Sequence, residues 1–125
     1  MISGVVKIRM PFKRGFIFRE KEVPFLFRIM TLEMVCEYLN IDFLSSESGE
    51  MFKKHSEEDI SRAFVWNAYL AACKEMYKKP KYTIHHAFSW IEYMSKESRE
   101  AYLKEMQNLL GKLDKSKRDD EVKKK

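Results

Sequence analysis

The sequence predicts a mainly α fold: a small helical domain of about four helices preceded by an N-terminal β-hairpin. Three observations point to it. Aromatic and β-branched residues gather around short polar groups in the first 30 positions, as strands and turns do. From residue 31 onward apolar residues recur at i, i+3, i+4 and i+7, the stripe of an amphipathic helix. Capping residues, Thr31, Ser56, Thr83 and Ser95, stand at the head of those striped stretches.

A chain of 125 residues is one domain by length, and 45% hydrophobic with 14% aromatic residues is ample material for a core that needs no disulfide or metal. The expected organisation is a single domain over 1–113, with a hairpin at 14–30 and a helical body at 31–113, followed by a flexible charged tail at 114–125. The hairpin is read from Gly15-Phe16-Ile17-Phe18 and Val23-Pro24-Phe25-Leu26-Phe27-Arg28-Ile29, with the charged group Arg19-Glu20-Lys21-Glu22 as a four-residue loop. Pro24 cannot donate to a ladder, so its strand lies at an edge or begins there. A further strand over Val5 to Arg9, broken by Pro11, precedes them.

Thr31 caps a first helix with Leu32, Val35, Cys36 and Leu39 on one face, ending near Asn40. The stretch from Ile41 to Gly49 then reads as an anchored loop, with a short turn at Met51-Phe52. Ser56, followed by Glu57, Glu58 and Asp59, opens the most apolar segment, in which Asn67 is the one polar residue across eleven positions. Such a helix belongs in the centre, and Trp66 is expected deep inside it. Lys78-Lys79-Pro80-Lys81-Tyr82 breaks the helix. Thr83 caps a third, with Ile84, Ala87, Phe88, Ile91 and Met94 on one face, and Ser95 a fourth, with Tyr102, Met106, Leu109 and Leu113. Beyond Asp114 the lone apolar residue is Val122, too little to anchor a tail, so an extended tether is expected there.

The search for chemistry is largely negative. Adjacent histidines, His85 and His86, point about 100° apart on a helix and cannot share a metal, and Gly is too sparse for a phosphate cradle. No catalytic residue, cofactor or metal is expected. Cys36 and Cys73, 37 residues apart on apolar helix faces, read as core thiols of a reducing compartment. No run of 18 apolar residues occurs, which argues against export and a membrane partner. The net charge of +5 is uneven: +5 in residues 1–30, −2 in 31–113 and +2 in 114–125. A body without a basic stripe is a poor nucleic-acid binder. Partner contacts are therefore assigned to the aromatic and basic residues of the two ends, Phe12, Lys13, Arg14, Phe16, Lys115, Lys117 and Arg118.

One ordered pattern carries more. A hairpin leads through Phe25-Leu26-Phe27-Arg28-Ile29-Met30-Thr31-Leu32 into Glu33-Met34-Val35-Cys36-Glu37-Tyr38-Leu39-Asn40-Ile41; then comes Phe64-Val65-Trp66-Asn67-Ala68-Tyr69-Leu70, and last Lys79-Pro80-Lys81-Tyr82-Thr83-Ile84-His85-His86-Ala87-Phe88-Ser89-Trp90-Ile91. Over residues 14 to 94 this order resembles the tail assembly chaperones of long-tailed bacteriophages, departing at Asn40, where that family often has glycine, and at Phe88, where a small residue is frequent. The resemblance implies a non-enzymatic protein of the host bacterial cytoplasm, absent from the mature virion. It also implies as partners the tape-measure protein and the tail-tube protein, and a longer frameshifted product near the terminal lysines. A homo-oligomer is compatible with it. The competing reading is a small basic nucleic-acid-associated or regulatory protein of a phage or mobile element, using Lys7, Arg9, Lys13, Arg14 and the tail lysines.

Overall fold

The computed structural model describes residues 4–14, 16–45 and 47–123, with side chains at 13, 14, 18, 48 and beyond 111 excepted. Two strands, β1 (Val5–Arg14) and β2 (Ile17–Leu26), form an antiparallel ribbon, followed by five helices: α1 (Ile29–Tyr38), α2 (Ser48–Lys53), α3 (Glu57–Glu75), α4 (Ile84–Tyr93) and α5 (Lys96–Lys123). The mainly α class with an N-terminal hairpin stands as expected. The helix count rises to five because the turn foreseen at Met51-Phe52 is a six-residue helix.

The hairpin itself differs from the expectation. Its register runs from Val5↔Leu26 to Arg14↔Ile17, so the connection is the two residues 15–16, and Arg19 to Glu22 lie inside β2. The charged group was legible as a loop because strands are normally recognised by one apolar face. Here the distal half of the ribbon has little to bury. Arg19, Glu20, Lys21, Glu22, Phe16 and Ile17 are all exposed, whereas Ile8, Met10, Val23, Phe25 and Leu26, nearer the body, are buried. If the pair Arg14↔Ile17 closing a two-residue turn is hydrogen-bonded, alternation places Lys7↔Pro24 and Pro11↔Glu20 at non-hydrogen-bonded positions. Both prolines then sit where the missing N–H would have pointed outward.

Helix starts follow the side-chain chemistry closely. Ser56 Oγ accepts from the Asp59 N–H at 3.1 Å, with three acids in the first turn of α3. Thr83 Oγ1 accepts from the His86 N–H at 3.4 Å while His86 Nδ1 accepts from the Thr83 N–H at 3.1 Å, a reciprocal box that gives His86 a structural task. Ser95 Oγ accepts from the Ser98 N–H at 3.2 Å at the head of α5. Thr31 departs from its expected role. The helix begins at Ile29, and Thr31, fully buried in the first turn, donates to the Leu26 carbonyl and accepts from the Arg28 N–H at 3.4 Å, locking the end of β2 to α1.

Helix α3 is central, packing against β2, α1 and α4, while α4 and α5 also lean on β1. The largest fully buried side chain is nevertheless Trp90 on α4 and not Trp66. Trp90 is fully buried, its ring 5.6–6.0 Å from those of Phe12, Phe25, Tyr69 and Tyr82. Trp66 is half-buried and meets one ring, Tyr69, at 6.0 Å. An all-apolar helix stretch does not rank its own residues by depth; its neighbours do. Asn67, the polar exception, is buried and donates to the Ala63 carbonyl at 2.8 Å, which satisfies it within its own helix. Two hydroxyls tie the last helix down: Ser98 donates to the Arg9 carbonyl at 2.7 Å and Tyr102 to the Ser61 carbonyl at 3.1 Å.

The backbone of 114–123 continues α5, a helical course where the sequence predicted an extended tether. Whether that segment is flexible, and the structure of 124–125, lie outside the described residues.

Candidate functional site

Two concave regions flank the hairpin. The first, a groove of about 350 Å³, lies where β2 hands over to α1 and is lined by Phe27, Arg28, Ile29, Met30 and Leu109. It exists because the chain leaves the ribbon at Leu26 and turns into α1, so that three consecutive side chains, 28 to 30, flank a gap closed opposite by α5. Ile29 is 44% exposed, a large apolar side chain at the groove rim. Met30, which lines the groove, also packs beside Val5 and Met34 over buried Leu26, Ala71 and Ala72, and gives the lining one unbranched, adaptable side chain. Arg28 bridges to Glu75 at 3.6 Å. Gly4, at φ +89°, passes close by: a Cβ there would stand 2.7 Å from the Arg28 guanidinium, so only glycine fits both the backbone and the space.

The second region, a cavity of about 300 Å³, opens between the hairpin and the connection from α3 to α4. Its rim carries Lys7 and Glu22 from the ribbon and Lys78, Lys79 and Lys81 from the connection; Pro24, Tyr69, Cys73, Met76 and Tyr82 complete the lining. Tyr69 organises it. Its hydroxyl oxygen accepts from the Lys81 N–H at 2.8 Å and the Tyr82 N–H at 3.1 Å, and its hydroxyl also hydrogen-bonds Cys73. Burial pushes the Tyr69 hydroxyl above its ordinary value, with the two backbone N–H groups pulling the other way. Burial likewise raises the Cys73 thiol, opposed by Tyr69 and by the charge of Lys78. Cys73 is accordingly a packed, buried thiol. Cys36 is buried as well.

The helix ends bordering these regions share one geometry. After α1, Asn40 has φ +58°; the Ile41 N–H donates to the Cys36 carbonyl at 2.7 Å and the Asn40 N–H to Glu37 at 3.2 Å. After α3, Tyr77 has φ +53°; the Lys78 N–H donates to Cys73 at 2.9 Å and the Tyr77 N–H to Lys74 at 3.2 Å. Both are Schellman ends. Asn40, at the place where the resembled family often has glycine, tolerates that left-handed conformation; Tyr77, bulky and 97% exposed, is strained by it.

Of the residues assigned to partners from sequence, Phe12 is drawn into the core, with Tyr82 at 4.8 Å and Lys21 above its ring at 5.7 Å. Phe16 is fully exposed at the ribbon tip. Lys13 and Arg14 lie at the end of β1, and Lys115, Lys117 and Arg118 on the last turns of α5; their side chains are outside the described residues. Phe12 and Phe16, the two of the seven whose side chains are described, do not come together in one site. Both concave regions were passed over in sequence, although three lysines in four residues about Pro80, and the apolar run through the strand-to-helix junction, were signals in plain view. Among the described residues no group of acids, histidines and cysteines is placed to hold a metal ion, and no helix is long and apolar enough to cross a membrane. No family model, curated protein or solved structure matches the chain.

Proposed function

We propose that this protein is a non-enzymatic phage tail assembly chaperone of the host cytoplasm, which binds the tape-measure protein and recruits tail-tube subunits. The observation that carries the reading is the apolar groove between α1 and α5. Phe27, Ile29, Met30 and Leu109 offer an amphipathic helix the surface it needs, and the unbranched Met30 lets that surface adapt to different side chains along a long client. The stretches quoted for the resemblance lie on the end of β2 and on α1, α3 and α4.

The test is to look for a tape-measure gene next to this one and to co-express the two products. The reading expects the tape-measure protein to stay soluble and to co-purify with the chaperone, and finished virions to lack it. An insoluble tape-measure protein with and without this chain overturns it. The alternative is a small basic nucleic-acid-associated or regulatory protein of a phage or mobile element, using Lys7, Arg9, Lys13, Arg14 and the tail lysines. Under that alternative a defined duplex binds tightly at physiological salt; under the chaperone reading binding is weak and confined to low salt.

A further inference from the structure

We propose that the cavity between the hairpin and the α3–α4 connection is a docking site for an acidic peptide segment of a partner protein, a role that stands or falls apart from the chaperone reading. Four ammonium groups, Lys7, Lys78, Lys79 and Lys81, ring the cavity against the single carboxylate of Glu22, and all four side chains are exposed. Among the described residues none of the four makes an ion pair. The ring is assembled from two separate parts of the chain, and the part that supplies three lysines is held in place. Pro80 fixes its own backbone angle, and Tyr69 takes the N–H groups of Lys81 and Tyr82. The strained Tyr77 starts the same connection, and strain of this kind persists where the surrounding structure over-determines it. Lysines presented on a fixed loop lose less freedom on binding than lysines on a free one.

The chemistry of the ring selects among anions. No arginine lines the cavity, so it lacks the planar fork that grips phosphate with two parallel hydrogen bonds. The backbone N–H groups of Lys81 and Tyr82 are already taken, which removes the amides on which a phosphate would sit. The lining is apolar and aromatic, from Pro24, Tyr69, Met76 and Tyr82, and suits a side chain flanked by carboxylates. An extended peptide with glutamates or aspartates around one large apolar residue matches both features. A nucleic-acid backbone needs a longer basic track than one pocket provides.

The experiment titrates the isotopically labelled full chain with a capped ten-residue peptide of glutamates around a central phenylalanine, watching backbone amide signals. A peptide with lysines in place of the glutamates and a single-stranded DNA of equal charge serve as rivals. The expected result is saturable shifts at Lys7, Glu22 and residues 69–82 with the acidic peptide alone, weakened about tenfold or more in a K78Q/K79Q/K81Q variant whose unfolding midpoint is unchanged. Because these lysines are exposed, the variant tests charge and not folding. Tighter binding of the DNA than of the peptide, shifts scattered away from the cavity, or equal binding by the triple variant overturns the proposal.

Discussion

The two concave regions are built on different foundations. The lysine-ringed cavity rests on rigid aromatic packing: Tyr69 and Tyr82 line it, and both rings touch Trp90. The groove is lined by Met30 and rimmed by an exposed isoleucine. The first reads charge with a fixed frame, and the second reads apolar area with a compliant one. The difference teaches that one small domain can separate a selective surface from an adaptable one by placing them at opposite kinds of packing.

Breaking the aromatic foundation should have the largest effect. Trp90→Ala is expected to destabilise the fold by about 3–5 kcal/mol, measured by denaturant unfolding. Trp66→Ala should cost clearly less, since that ring is half-buried. Equal losses at the two tryptophans would mean that the aromatic centre is not where the structure puts it. A narrower blow to the cavity alone is Tyr69→Phe, which leaves the N–H groups of Lys81 and Tyr82 without their acceptor. A loss of about 1–2 kcal/mol is expected, with faster amide exchange at both residues. Unchanged exchange there would show that the connection is held by something else.

The fold was legible where local chemistry decides it. Ser56, Thr83 and Ser95 announced three helix starts because a cap acts on backbone groups two or three residues away. The ribbon was not legible in its register, since Arg19 to Glu22 are four consecutive exposed residues of β2, with no alternation until the buried Val23 and Phe25. Trp66 and Trp90 both lie on apolar stretches, and only the packing of β2 and α4 against α3 distinguishes them. The candidate site was hidden for the same reason: Lys7 and Glu22 approach Lys78, Lys79 and Lys81 through the tertiary fold, from 56 to 74 residues away in sequence.

Smaller effects sharpen the contrast between the two helix ends. Tyr77→Gly should stabilise the protein by about 1 kcal/mol in thermal unfolding, because glycine takes the left-handed angle freely, whereas Asn40→Gly should change little. A destabilised Tyr77→Gly variant would mean that the exposed ring makes a contact that outweighs its strain. The smallest effect is an alkaline one. Tyr69 and Tyr102 both have hydroxyls raised by burial, so the folded chain keeps protons that the unfolded chain gives up above the ordinary tyrosine value of 10.0. Stability contributed by these groups is full below that value and falls as pH rises above it. Ultraviolet titration of tyrosine ionisation should show two tyrosines lagging the others until unfolding; six tyrosines ionising together in the folded protein would contradict the burial of both.

The most direct test of the groove as the client surface is hydrogen exchange on the complex with the tape-measure protein. Slowed exchange is predicted in residues 27–34 of α1 and its approach and in residues 103–110 of α5, and an Ile29→Asp variant should retain its fold while losing the client. Exchange in both segments as fast as in the free protein, with the client still bound, would contradict the account.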